Sequence, residues 1–220
     1  MPIINCKKVT GGYQLLRSFE VQNYRGLRDR TILDFSKTKK YGFNTDLIRN
    51  GLVNKMLIVG KNGCGKTNLG LALFDIVLTL TDRNVDNMQR NAVSFLNGYS
   101  DISYAEFRHE YLFDNDIVVY TYRKNAPDSI VYEELSINGE RIFLRDGAMS
   151  DFSGLKDYNA GSLRINPDNN RISVLKFIWN NTDQDESSPL SKVMKFVEGM
   201  LYAYFRHPKK GLLRIEGRST

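Results

Sequence analysis

Eight consecutive residues hold the densest chemistry in the sequence: Gly60-Lys61-Asn62-Gly63-Cys64-Gly65-Lys66-Thr67. They fit the pattern G-x-x-x-x-G-K-[ST] at every fixed position. Each residue type has a physical task in such a loop. Glycine lets successive backbone N–H groups turn toward one centre and form a nest for a phosphate. A helix that begins just after the loop directs its positive end at the same anion. Lys66 adds a point charge within reach of β- and γ-phosphates. Thr67 offers a hydroxyl to Mg²⁺, which prefers hard oxygen ligands and phosphate. The ligand implied is a nucleoside triphosphate of the ATP type, bound with Mg²⁺.

The flanking residues supply the elements such a loop needs. Residues 55–59 (KMLIV) form a short apolar run, as expected of a strand buried on both faces. After the loop, Leu69, Leu71, Leu73, Phe74, Val77, Leu78 and Leu80 suit a buried helix. Cys64 reads most simply as a small residue that fits the loop, with a redox switch as the rival.

Further out, residues 13–21 and 30–36 read as strands around the turn-prone Asn23-Tyr24-Arg25-Gly26. Lys37 to Asn50 is polar, a loop or short helix. A second helix is expected from Val85 to Leu96, stopped at Asn97-Gly98. From 103 to 145 the sequence becomes rich in β-branched and aromatic residues, with turn signals at Asn115-Asp116, Ala126-Pro127-Asp128 and Asn138-Gly139. These are hairpin-ordered antiparallel strands. Helices are expected over 172–180 and 190–205. Three segments result: a phosphate-binding lobe over 1–100, an antiparallel β insert of that lobe over 101–150, and a helical segment over 151–220.

Bulk properties narrow the class. The 220 residues are 41% hydrophobic, with 12 Phe and 12 Tyr, so a folded core is affordable. The longest apolar run, 69–80, is interrupted by Asp75 and Thr79 and falls short of the roughly 18–20 residues that cross a bilayer. Residues 1–10 lack the apolar stretch of a secretory signal. Two cysteines, Cys6 and Cys64, sit in no metal spacing and suit a reducing cytoplasm. With 31 Lys plus Arg against 25 Asp plus Glu, the net charge of +6 permits nucleic-acid contact without demanding it. Lys37, Lys39, Lys40, Lys209 and Lys210 would carry that contact.

Asn62-Gly63 ahead of Cys64-Gly65-Lys66-Thr67 resembles the G-x-N-G-x-G-K-[ST] variant of ABC, SMC and RecF-type ATPases. Phe19-Glu20-Val21-Gln22-Asn23-Tyr24-Arg25-Gly26-Leu27 is similar to their opening strand, which ends in an asparagine–aromatic–arginine turn. The antiparallel run 103–145 resembles the β-rich insert of the ABC-like AAA ATPases of abortive-infection systems, such as the OLD nucleases and the ATPase subunits of Septu and PARIS defence. The likeness covers about residues 15–145. It implies an α/β P-loop NTPase fold, ABC-ATPase-like, with a mixed sheet, a β-rich antiparallel insert and C-terminal helices. It also implies that, within the Gly60 to Thr67 loop, Asn62 to Thr67 contact the triphosphate of ATP, that Thr67 ligates Mg²⁺, and that Asn68 adds a phosphate contact. Arg25 falls where the family's early arginine lies close to nucleotide; a solvated turn residue is the alternative reading. Gln89 reads as a surface residue of a helix.

Two parts of a hydrolytic site are not apparent. No apolar strand ending in aspartate follows residue 67, and there is no LSGG-like signature. Ile130-Val131-Tyr132-Glu133-Glu134 reads as an ordinary strand with exposed acids. His109 reads as a half-exposed strand histidine, and His207 as part of a basic surface patch. The resemblance therefore implies an N-terminal lobe that a C-terminal lobe or a second copy completes around nucleotide, regulating an effector such as a nuclease in phage defence or DNA repair. The alternative is a nucleotide-gated interaction module without hydrolysis of its own. A small phosphotransferase would need lid arginines, for which Arg83, Arg90 and Arg108 are available, but the β-rich segment speaks against it.

Overall fold

The computed structural model describes residues 14–39, 45–83 and 94–200, together with the backbone of two short strands at 202–205 and 213–216. The strands are β1 (Gln14–Gln22), β2 (Thr31–Asp34), β3 (Ile48–Arg49), β4 (Leu52–Val53), β5 (Ala105–Phe113), β6 (Asp116–Ala126), β7 (Ser129–Ile137), β8 (Glu140–Arg145), β9 (Tyr202–Phe205) and β10 (Leu213–Glu216). The helices are α1 (Lys66–Leu80), α2 (Val174–Asn181) and α3 (Pro189–Glu198). The architecture is mixed α/β, with few helices and a mostly antiparallel sheet.

Six strands form that sheet in the order β2-β1-β5-β6-β7-β8. Every pairing in it is antiparallel, which corrects the mixed sheet expected from the sequence. Alternation explains why these segments pair as they do. In β5 the side chains Ala105, Phe107, His109, Tyr111 and Phe113 are buried, and those between them are not. Asn138 and Gly139 both have positive φ, 53° and 84°, as a two-residue hairpin between β7 and β8 requires. The β5–β6 turn falls one residue earlier than expected, with Asp114 at φ 58° and Asp116 already in β6.

The segments 1–100 and 101–150 share this sheet, because β1 pairs with β5 across the register Gln14↔Phe113 to Gln22↔Glu106. α1 lies on one face, packed against β1, α2 and α3. Its residues from Leu69 to Leu80 are buried almost without break, as its apolar composition demands. The opposite face carries alternating charge. Arg108 pairs with Glu20 and Glu110, Arg17 with Glu110, and Arg30 with Glu20 and Glu106. Arg123 pairs with Glu106, its guanidinium lying 4.7 Å and 4.3 Å from the ring centres of Tyr104 and Tyr132.

Two further expectations change, and a third lies mostly outside the described residues. Residues 55–59 join no described strand and stand exposed, Leu57 at 61% and Val59 at 79%. A strand buried on both faces needs neighbours on both edges, and none of the described strands flanks this run. The last long helix ends at Glu198, with Gly199 as its cap, so residues 202–205 are a strand and not helix. Residues 84–93 lie outside the described residues, and with them most of the helix expected over 85–96, Gln89 and Arg90. Leu96 and Asn97, at its expected end, are not helical.

Candidate functional site

Two glycines of the loop have backbone angles that L side chains rarely adopt: Gly63 at φ 83° and Gly65 at φ 92°. Gly65 is the N-cap of α1, so the helix begins at Lys66 and its first turn carries Thr67 and Asn68. Gly60 is fixed by contact instead of angle: a β-carbon there would stand 2.7 Å from Cys64 Sγ. Cys64 therefore closes one side of the loop, and its thiol is exposed. The loop residues from Gly60 to Cys64 are exposed, as is Thr67.

Lys66 folds back over this turn. Its Nζ donates to the carbonyls of Gly60 and Lys61, both at 2.7 Å, and lies 3.7 Å from Cys64 Sγ. The ammonium is thus tethered by two loop carbonyls close to the start of α1. Three features here would suit a polyphosphate: a nearby cation, a helix start whose dipole has the right sign, and two glycines with backbone angles that a nest requires. Among the described residues no cluster of three or more His, Cys, Asp or Glu side chains is placed to hold a metal. A Mg²⁺ at this loop would take Thr67 and phosphate oxygens as ligands.

The turn after β1 packs directly on the loop. A β-carbon on Gly26 would come within 2.8 Å of Asn68 Nδ2, and one on Gly65 within 3.4 Å of Leu27 Cδ2. Arg25 sits between these contacts and the end of β1, with φ 49° and its guanidinium 5.3 Å from the ring centre of Tyr24. The turn and the loop are separate segments in the sequence; the fold sets Gly26 and Leu27, next to Arg25, against Asn68 and Gly65.

The chain matches the family model described as AAA ATPase domain over residues 15–196. It belongs to that AAA ATPase domain family. No curated protein is matched by the chain. Membership in the AAA ATPase domain family implies nucleotide binding, and in the sequence the phosphate-loop pattern is the feature suited to it. The matched region takes in the six-stranded sheet apart from Gln14, all of α1 and α2, and α3 up to Phe196. None of the described helices of this AAA ATPase domain is long and apolar enough to cross a membrane.

Several residues have roles different from those read in the sequence. Glu133 is not an exposed acid but wholly buried. Its Oε2 accepts from Arg145 at 2.7 Å and from the Val174 N–H at 2.8 Å. Its Oε1 accepts from Tyr120, Ser173 and the Leu175 N–H. The carboxylate thus caps the N-terminus of α2 from the sheet. Burial foremost, and then the Glu133 charge, pushes the Tyr120 phenol well above its usual range, so Tyr120 stays a donor.

His109 is also buried, not half-exposed, and lies against Phe19, Tyr111 and Tyr122. Burial lowers its pKa from 6.5 to about 3, so its ring is neutral. Its Nε2 lies 3.5 Å from the Leu73 carbonyl of α1. It is a core residue, remote from any catalytic role. Of the basic residues considered for nucleic acid, Lys37 and Lys39 are exposed. Lys40, His207, Lys209 and Lys210 lie outside the described residues. So does Cys6.

Asn97, read as part of a helix stop, turns out to hold the Arg25 turn. Its Nδ2 donates to the Arg25 carbonyl at 2.6 Å. The only hint in the sequence is the type itself, since asparagine side chains habitually bond turn backbone.

Proposed function

We propose that this AAA ATPase domain is an ATP–Mg²⁺-binding N-terminal lobe of the ABC/SMC-like P-loop class, akin to the ATPases of abortive-infection systems. It controls an effector such as a nuclease. The observation that carries this reading is the tether of Lys66, at the start of α1, back to Gly60 and Lys61 across a loop that holds two glycines of positive φ. Arg25 and Asn68 border the same loop and are its further nucleotide contacts. Thr67 holds the metal.

The exposed run Met56 to Val59 supports a composite site. Four apolar residues leading into a phosphate loop gain by pairing with a strand from a C-terminal lobe or a second copy, which would also supply the acid that anchors Mg²⁺ and orients water. In the isolated chain, ATP is bound and turned over slowly or not at all. A nucleotide-gated module without hydrolysis of its own is the second reading, favoured by the lack of an acidic cluster among the described residues. Robust turnover by this chain alone, abolished by Lys66→Ala, would exclude it.

Calorimetry of the chain with ATP–Mg²⁺ tests the nucleotide reading. Binding is expected for the wild type, with at least about a tenfold loss in Lys66→Ala. Equal affinity in both proteins, or no binding by either, overturns it.

A further inference from the structure

The turn that carries Arg25 is held in an unusual shape. Asn23 and Arg25 both have left-handed backbones, at φ 57° and 49°, without being glycine. Something must over-determine such a turn for it to persist. Asn23 is wholly buried, and its Nδ2 donates to the carbonyls of Ile102 and Tyr104, each at 2.7 Å. Tyr24 and Leu27 exchange backbone hydrogen bonds at 2.9 Å and 2.8 Å.

Segment 95–97 closes the remaining side. The Arg25 N–H donates to the Phe95 carbonyl at 3.0 Å, and Asn97 Nδ2 donates to the Arg25 carbonyl at 2.6 Å. The backbone N–H of Asn97 lies 3.3 Å from Asn23 Oδ1. Both polar groups of the Arg25 peptide backbone are therefore fixed by residues 70 or more positions away in sequence. On the other side, Gly26 and Leu27 rest on Asn68 and Gly65.

We infer that Asn97 is a positioning residue of the nucleotide site, which acts by holding Arg25 in the left-handed turn whose next two residues, Gly26 and Leu27, pack on Asn68 and Gly65 of the phosphate-loop segment. The inference rests on the nucleotide reading above and adds a residue that the loop pattern does not contain. Asn97 touches no ligand; its side-chain amide replaces a solvent partner for the Arg25 carbonyl and fixes the angle at which the guanidinium leaves the turn. Without it, Arg25 relaxes toward ordinary backbone angles and its side chain is delivered elsewhere.

A double-mutant cycle separates this role from simple structural support. ATP–Mg²⁺ affinity is measured by calorimetry for wild type, Asn97→Ala, Arg25→Ala and the double variant. Arg25→Ala and Asn97→Ala are each expected to weaken binding by roughly five- to tenfold, while adding Asn97→Ala to Arg25→Ala costs less than about twofold more. Asn97→Ser keeps an acceptor for the Tyr99 N–H but is too short to reach Arg25, and should behave like the alanine variant even where that variant folds poorly.

Wild-type affinity in Asn97→Ser, or an Asn97 effect of the same size in both backgrounds, overturns the inference while leaving the phosphate loop's role intact. A wild type that binds no ATP–Mg²⁺ brings down the nucleotide reading, and this inference with it.

Discussion

Lys124 of β6 donates to Asp75 of α1 at 2.8 Å, and the two side chains are only 2% and 3% exposed. Tyr122 and Thr79 donate to the same carboxylate oxygen at 3.1 Å and 3.2 Å. The helix that follows the phosphate loop is thereby pinned to the sheet by a sealed charge pair. Lys124→Met leaves a buried carboxylate without its cation and should cost about 3–5 kcal/mol. Asp75→Asn with Lys124→Met should recover most of that loss, because no lone charge remains. Urea unfolding of the three proteins checks this; a double variant as unstable as Lys124→Met contradicts it.

Glu133 holds five donors, from β6, β8 and the start of α2. Glu133→Gln preserves volume but turns an amide NH₂ toward donors and strips Arg145 of its counter-ion. A loss of about 3 kcal/mol is expected, at the low end for a broken buried pair. Its signature would be faster amide exchange at Val174 and Leu175 than elsewhere on α2. Uniform protection along α2 would argue against a capping role.

His109 makes the protein acid-sensitive in a definite window. Its pKa is about 6.5 unfolded and about 3 folded, so the unfolded chain takes up a proton that the native state refuses. Stability from this group is complete above pH 6.5 and falls as pH drops toward 3, by about 1.4 kcal/mol per unit at most. His109→Phe suits its aromatic surroundings and should flatten that slope. Melting curves between pH 7.5 and 4.5 read the difference; parallel slopes for both proteins would exclude His109 as the source.

Gly26 touches Asn68 closely enough that a β-carbon would stand 2.8 Å from its Nδ2. Since the neighbour is the end of a side chain, Gly26→Ala should shift stability by less than about 1 kcal/mol. ATP–Mg²⁺ affinity should nonetheless fall several-fold, because Asn68 must move off the loop. Unchanged affinity at calorimetric precision would place Asn68 outside the nucleotide's reach.

The run Met56 to Val59 is costly to leave in water but contributes little to the fold of this chain. Leu57→Lys with Val59→Lys should change the melting free energy by no more than about 0.5 kcal/mol. Self-association at high concentration should drop, as light scattering would record. Greater aggregation in the lysine variant would point to a packing role instead.

Much of this arrangement is legible from residue types. Period-two burial in 105–145 names the strands, and the glycine spacing with Lys66 and Thr67 names the loop before any fold is known. The sequence is silent where one residue's role depends on a distant partner. Alternation puts Glu133 on the face of Leu135 and Ile137 and Glu134 on the other, near Arg141, but what makes a sealed acid tolerable there, Arg145 and the start of α2, is distant in sequence. Asp75 interrupts an apolar helix for a reason that sits 49 positions later, in Lys124. The apolar run 55–59 misleads in the opposite way: it has the composition of a buried strand, yet its pairing depends on neighbours that the described residues do not supply. The Arg25 backbone likewise finds partners far along the chain, in Phe95 and Asn97, besides the Tyr24–Leu27 bonds of its own turn.

The arginines and glutamates of the sheet's uncovered face answer one another across strands β1, β2, β5 and β6. A polyanion arriving there would find a carboxylate beside every one of these guanidinium groups, and would gain little by displacing it. That broad plane is electrically quiet despite its many charges. Among the described residues, Arg17, Arg30, Arg108 and Arg123 are therefore poorly placed to draw a phosphate backbone onto this face.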